Sequence, residues 1–553
     1  MREISLNGVY DFHFLEGMQL EDKSVTPDFQ ASDHLCVPIS FDMTPDYYCK
    51  RGTALFRREF SLSDAVLNAA IAIDGMGLRL QVWVDGKDIG KSQLAYSQLS
   101  FDTGPLEKGS HTLVLAVDNV FDDKKVKLFY PYYDFYAFGG LYHGVSIVLQ
   151  KHRKELSALR VRTLNYKTGQ IDLEAVFWNE APADGNFVAN VAFDKQAPQQ
   201  VSFTNFHAQL TVPACQCWSP ANPHLHRVCM EYEGSNMEAE FGVRQVSARN
   251  RQIFLNGEPI YLKGFNRHES DPLNGAATTE ATMLADLQHL RSLHCNFVRG
   301  CHYQQSPRFL QLCDRLGILV WEEALGWGNN PSQMSDPEYI DLQVDMVRQM
   351  ARSSINHPCV IISSFQNENH SNTQEGKEMN ELLVDTLRKE NSGHLITFAC
   401  CHVQDDISNY KTDIIAYNIY PGWCGNTRVG ILQDIPIWQA ETIQYFRQTY
   451  GEERPILVGE MGICGIYGCH DEARAQWSEE FQAMYLDEVL KTVLNCDQLC
   501  GIAIWQLNDS KSYLLDGAPL RVKPLGMNLA GVYDQYRRPK LAAQTVKKWF
   551  AKK

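Results

Sequence analysis

Four glutamates in this chain stand where short apolar runs stop. Glu322 and Glu323 follow Val320-Trp321, Glu368 follows the run that ends in Phe365-Gln366-Asn367, and Glu460 follows Ile456-Leu457-Val458-Gly459. A β-branched run that stops at Asn367-Glu368 reads as a buried strand delivering an amide and a carboxylic acid to its C-terminal end, where parallel α/β folds keep their chemistry. Two glutamates on opposite sides of a pocket suit hydrolysis of a glycosidic bond, one protonated to assist the leaving oxygen and one ionised to attack the anomeric carbon. From spacing alone, each acid can equally cap a following helix or pair with an arginine.

The elements that must position these acids change in character along the chain. Up to about residue 150 the sequence alternates apolar and polar residues between turn signals, as in Ala54 to Phe60, Leu80 to Val84 closed by Asp85-Gly86, and His111 to Val117. Many short strands without helical periodicity predict a β-sandwich. A second β-rich stretch, 151–243, has the length of an immunoglobulin-like sandwich and includes Gln170 to Trp178 and Ala208 to Val212. After a hairpin turning at Asn256-Gly257, strands and helices alternate. Thr279 can cap a helix carrying Met283, Leu287, Leu290 and Leu293, and a strand from Asn296 to Arg299 follows. A helix that Gly317 can terminate then leads to a strand from Ile318 to Trp321. Further strands are expected at Ile355 to Phe365, Ile414 to Ile419, Pro455 to Gly459 and Gly501 to Trp505, enough for an eight-stranded (β/α)8 TIM barrel over 244–553.

Composition narrows the class. The 553 residues are 44% hydrophobic and 21% charged, the profile of a soluble globular protein, and no run is long and apolar enough to span a bilayer. A formal charge of −15 argues against nucleic acid or an anionic membrane as partner. The start, Met1 to Gly8, lacks the apolar stretch of a secretory signal, so a cytoplasmic location is expected. The 16 cysteines are scattered and many lie in apolar runs, which reads as reduced, buried thiols. Cys215-Gln216-Cys217 and Cys400-Cys401-His402 lack a second pair at finger spacing, so no structural zinc is expected. A metal-dependent reaction through His268, His302 and Glu323 is disfavoured by the absence of a His-x-His pair after the first barrel strand. No cofactor and no metal are expected.

Several segments resemble one known family. Gly264 to Glu269, Asn296 to Tyr303, the Asn356-His357-Pro358 run ending in Asn367-Glu368, Tyr133 to Gly140, and Asn418 to Trp423 are similar to signatures of glycoside hydrolase family 2, which includes β-glucuronidases and β-galactosidases. The resemblance covers nearly the whole chain. It implies a jelly-roll sandwich over 1–150, an immunoglobulin-like sandwich over 151–243 and a catalytic barrel, generally in homo-oligomers. It further implies Glu368 as acid/base, Glu460 as nucleophile, and Tyr420 as a hydrogen-bond donor to Glu460. Asn367 is then placed to bind the sugar 2-hydroxyl, and Asp134, His268, His302, Trp423 and Trp505 line the pocket. Glu323 falls outside the catalytic pair and is expected as a pocket wall. One departure precedes the acid: Ser363-Ser364 stands where the family carries Trp-Ser.

The sugar is addressed by the segment Leu520 to Tyr533. By resemblance Arg521 and Asn528 match positions that face a substrate carboxylate in β-glucuronidases, but the lysine of that branch's Asn-x-Lys motif is Ala530 here. Its loss removes a charge-assisted hydrogen bond, while Arg521 or Lys523 can still bind an acidic sugar in another orientation. The expectation is therefore a retaining exo-β-glycosidase acting on terminal β-D-hexuronides, with β-galacturonides favoured over the alternatives, a β-galactosidase or a β-glucuronidase. A carbohydrate-binding protein that kept the fold is a further alternative, opposed by the presence of both Glu368 and Glu460.

Overall fold

The computed structural model describes residues 2–121, 135–513 and 523–552. The alternating N-terminal segments form two facing antiparallel sheets. One runs Arg2–Ser5, Val145–Gln150, Val66–Ile73, Leu99–Leu106; the other runs Asp33–Val37, Gly8–Glu16, Gly52–Leu62, Gly109–Asp118, Arg79–Val84, Lys87–Ser92. Their inward residues, among them Phe12, Phe56, Ile71, Val82 and Leu115, make a shared core. The Asp85-Gly86 turn has φ of 51° and 75°, the doubly positive conformation that matches strand twist in a two-residue hairpin. A three-stranded and a four-stranded sheet between Leu156 and Phe241 enclose a second core around Leu173, Val191 and Val228.

Eight parallel strands then close a barrel: β1 Leu262–Arg267, β2 Phe297–Gly300, β3 Leu319–Trp327, β4 Val360–Asn367, β5 Leu395–Cys400, β6 Ile415–Asn418, β7 Ile456–Glu460 and β8 Leu499–Ile504. Local signals set the helix limits. Thr279 Oγ1 accepts from Thr282 N–H at the start of α1 (Glu280–Ser292), and Gly317, at φ 69°, ends α2 (Pro307–Leu316).

Two expected strands are displaced. Ile355 caps the helix α3 (Pro337–Ser354) and β4 begins only at Val360, because Pro358 cannot continue either a helix or a central ladder. β3 runs on past Trp321 to Trp327, with Glu322 and Glu323 paired against Ser363 and Ser364 of β4. These acids thus sit within the strand, and its two-residue period sends them to opposite faces.

The first sandwich and the barrel share an aromatic seam. Tyr96 stacks on Tyr303 with ring centroids 3.9 Å apart, and Phe138 and Tyr142 join the same cluster as Tyr339 and Phe365. His143 Nε2 meets Glu269 Oε2 at 2.9 Å. Among the described residues, no helix is long and apolar enough to cross a membrane.

Candidate active site

The C-terminal ends of the barrel strands converge on one arginine. Arg299, closing β2, is fully buried, and its guanidinium lies 4.4 Å from the Trp321 ring centroid. Nη1 donates to Glu460 Oε1 at 2.6 Å and to Asn266 Oδ1 at 2.9 Å. Nη2 donates to Glu323 Oε2 and to Asn367 Oδ1, each at 2.8 Å, and Nε reaches Glu323 Oε2 at 3.1 Å. A planar fork of five donors suits a residue that must tie its own strand, β2, to strands 1, 3, 4 and 7.

Glu460 ends β7 and is held from a second side by Tyr420, whose Oη donates to Oε2 at 2.5 Å. His302 Nε2 stands 3.9 Å from Oε1. Burial, reinforced by the Glu460 charge, raises the Tyr420 phenol well above its ordinary range, so this group stays a donor.

Glu368 has a different setting. It follows β4 in the left-handed region, φ 53°, a conformation that costs a non-glycine residue on the order of 1–3 kcal/mol and that turns the carboxyl out of the strand's alternation. Its Oε1 accepts from Asn418 Nδ2 at 2.8 Å. Burial, and then the nearby Glu460 charge, push its pKa up to about 7, with the Asn418 hydrogen bond pulling the other way. Asn367, beside it, accepts from Arg299 and Asn418 through Oδ1, while its buried Nδ2 has no protein partner among the described residues. That amide is left to donate to a ligand.

Trp505 and two histidines form the adjoining wall. The Trp505 ring stacks on His302 at 5.6 Å and 10° and meets His268 edge-on at 5.5 Å. Phe135, from the first sandwich, packs against both histidines. Burial, and then the neighbouring His302, Arg299 and Arg267 side chains, hold His268 well below its ordinary value, so its ring is neutral. Trp423 lies in a short 3-10 turn, its ring 5.1 Å from Tyr420.

Of the residues expected from sequence, the structure brings together Glu368, Glu460, Tyr420, Asn367, His268, His302, Trp423 and Trp505. Asp134 and Arg521 lie outside the described residues. Asn528 is nearby on the segment carrying Met527, Leu529 and Ala530, which pack with Trp505 and Trp423. Its Oδ1 accepts from Ala530 N–H at 3.3 Å, and its buried Nδ2 has no protein partner among the described residues. Ala530 is buried in that apolar cluster, and burial pushes the Lys523 ammonium down to about 7.

Glu323 is not the pocket wall expected. It is fully buried beneath the site as counter-ion to Arg299, and it also accepts from Ser364 Oγ at 3.1 Å and meets His302 Nδ1 at 3.0 Å. Burial would raise its pKa, but Arg299 and His302 outweigh burial and hold it below the usual carboxylate value. Its neighbour Glu322 points outward to Ser354 and Gln305 N–H, and burial lifts it to about 7. Ser363 is buried within β4 and hydrogen-bonds His394 Nδ1 at 2.9 Å.

The residues that sequence reasoning left out of the site are Arg299, Asn418 and Asn266. Each is a polar residue at or near the end of an apolar strand run, the same signal that marks Glu368.

Comparison with known proteins agrees with this architecture. The family profile described as "Glycosyl hydrolases family 2, TIM barrel domain" matches residues 246–552, and "Beta-galactosidase second all-beta domain" matches 21–123. A beta-glucuronidase of Mus musculus is 26% identical over 427 residues, 74% of this chain and 63% of its own length. One from Sus scrofa is 26% identical over 62% of this chain and 53% of its own length. The matched stretch thus spans between half and two thirds of these curated relatives. A crystal structure of a GH2 beta-galacturonidase from Eisenbergiella tayi bound to galacturonate superposes with a TM-score of 0.87 at 27% identity, covering 100% of this chain and 97% of the other. An uncultured Clostridium sp. beta-glucuronidase shares the fold with a TM-score of 0.88 at 22% identity. A profile match over more than half of the chain is evidence of common descent, and this chain belongs to glycoside hydrolase family 2.

Proposed function

We propose that this protein is a retaining exo-β-glycosidase that releases terminal β-D-hexuronides, β-galacturonides foremost, by double displacement. The observation that carries the reading is the unequal setting of two glutamates at one strand-end pocket. Glu368 has its pKa lifted to about 7 by burial and by the Glu460 charge, and so can hold a proton near neutrality. Glu460 receives hydrogen bonds from Arg299 and Tyr420, which fix its carboxylate for attack.

In the first step Glu368 protonates the glycosidic oxygen as a Glu460 oxygen bonds to the anomeric carbon and the aglycone leaves. In the second, Glu368 takes a proton from water, which attacks the anomeric carbon and releases Glu460. Asn367 Nδ2 is available for the 2-hydroxyl, where hydrogen bonds strengthen in the oxocarbenium-like transition state.

For the sugar, two features support a uronide other than the glucuronide. Ala530 puts a methyl group in an apolar cluster where the glucuronidase motif carries a lysine, and beside it Asn528 Nδ2 has no protein partner among the described residues. The Eisenbergiella tayi protein, described as a beta-galacturonidase, aligns over this whole chain. The glucuronide reading rests on the curated relatives described as beta-glucuronidases. Hydrolysis of chromogenic β-galacturonide, β-glucuronide and β-galactoside, compared by kcat/KM, tests the assignment. The galacturonide is expected to lead; equal or faster turnover of the neutral galactoside would end the uronide reading.

A further inference from the structure

One cluster of side chains at this site has a chemistry that sugar cleavage does not call for. His268, Cys301 and His302 each bring one potential ligand atom within 4.8 Å of the other two, and all three residues are buried. In both rings the Nδ1 atom is already engaged: His302 Nδ1 meets Glu323 Oε1 at 3.0 Å, and His268 Nδ1 meets Tyr303 Oη at 3.3 Å. That leaves Nε2 of each ring, together with the Cys301 sulfur. Metal-binding histidines characteristically have the distal nitrogen hydrogen-bonded to a carboxylate, carbonyl or hydroxyl, which fixes the tautomer and the ring orientation. Here that supporting shell is already built.

We propose that His268, Cys301 and His302 form an inhibitory site for a thiophilic divalent ion, zinc foremost, and that the bound ion shuts the sugar pocket. Two imidazoles and a thiolate are a ligand set that zinc accepts and that magnesium and calcium do not. Tetrahedral zinc holds such ligands about 3.3–3.6 Å apart, so the ligand atoms draw closer on binding, a displacement that side-chain rotation supplies. The fourth ligand is at hand, because Glu460 Oε1 lies 3.9 Å from His302 Nε2. A metal there ties up the carboxylate that the proposed reaction needs as its nucleophile and stands against the Trp505 wall. Zinc and sugar then exclude each other. Binding of the ion releases the Cys301 proton to solvent and needs no redox partner.

The alternative is that the histidines serve only to shape the sugar pocket and that the thiol merely packs with Cys464, Leu529 and Ala530. Cobalt distinguishes the two. The full chain, stripped with chelator, is titrated with Co2+ alone; one ion per chain and a near-ultraviolet thiolate-to-cobalt charge-transfer band are expected, with Zn2+ displacing the cobalt. Cys301→Ser is expected to lose the band, and the exposed-thiol control Cys401→Ser to keep it. Tyr303→Phe, which removes the partner of His268 Nδ1, is expected to weaken metal binding by about 10- to 100-fold. If serine is not tolerated in this apolar position, Cys301→Ala and Tyr303→Phe decide the matter. No band in the parent chain, a band that survives in Cys301→Ser, or one lost in Cys401→Ser overturns the site.

The inhibitory part rests on the glycosidase reading and has its own readout. Zn2+ should inhibit aryl-hexuronide hydrolysis competitively with substrate and reversibly with EDTA in the parent chain, and far more weakly in Cys301→Ser. Absence of any hydrolysis would sink the glycosidase reading while leaving the cobalt result to stand or fall by itself. Hydrolysis that zinc-loaded protein performs undiminished would sink the inhibition alone.

Discussion

The two sides of the pocket treat the same side chain in opposite ways. On the β7 side Glu460 faces a guanidinium, a phenol and an imidazole. On the β4 side Glu368 receives one neutral amide and faces the charge of its counterpart. Arg299 bonds directly to Glu460 and Glu323 and, among the described residues, reaches the Glu368 side by a hydrogen bond to Asn367. The contrast teaches that role follows from which donors the neighbouring strand ends supply, and not from the carboxyl group itself.

The contrast is most severely tested by removing the paired acid. Glu460→Ala should lower kcat by about 10⁴- to 10⁶-fold, the scale of losing a covalent nucleophile. Added azide should restore turnover as the α-glycosyl azide; a β-azide would mean that the two acids have exchanged roles. Glu368→Gln comes next, with a loss of about 10²- to 10⁴-fold on substrates with poor leaving groups. In the parent chain the donor must be protonated, so kcat/KM should hold below pH of about 7 and fall as pH rises through it. Glu368→Gln should lack that basic limb.

Arg299→Met attacks the source of the asymmetry. It leaves Glu323 and Glu460 buried without their cation, and the denaturation midpoint should report a loss of about 3–5 kcal/mol. The smallest effect is expected from Asn418→Ala. Its amide favours the ionised form of Glu368, so without it the basic limb should move to higher pH. Movement to lower pH would show that Asn418 supports the protonated form instead.

Much of this arrangement could be read from the chain before the fold was known. Glu368 and Glu460 were legible because each terminates an apolar run, and a parallel barrel gathers such ends. The sandwiches were legible from alternation and from turns such as Asp85-Gly86. Arg299 was visible as a residue but not as a hub, because its partners come from four strands and only barrel closure makes them neighbours. Glu323 was expected as a pocket wall from the family resemblance; pairing with Ser364 carries β3 past Trp321 and turns that acid inward onto Arg299. His268 and His302 were weighed from the sequence as ligands with Glu323; Cys301, in place of Glu323, joins them only because the ends of β1 and β2 meet.

The stacked pair Tyr96–Tyr303 has a consequence for biosynthesis. An N-terminal domain emerges from the ribosome first and generally folds as a unit. In this chain that leaves Tyr96, Phe138 and Tyr142 without their cover until Tyr303, Tyr339 and Phe365 have been translated. Phe135, which lies on the same early segment, reaches His268 and His302 only when this cover is in place. Maturation of the pocket is therefore a late docking event, and nascent chains are vulnerable to aggregation through that aromatic face until it occurs.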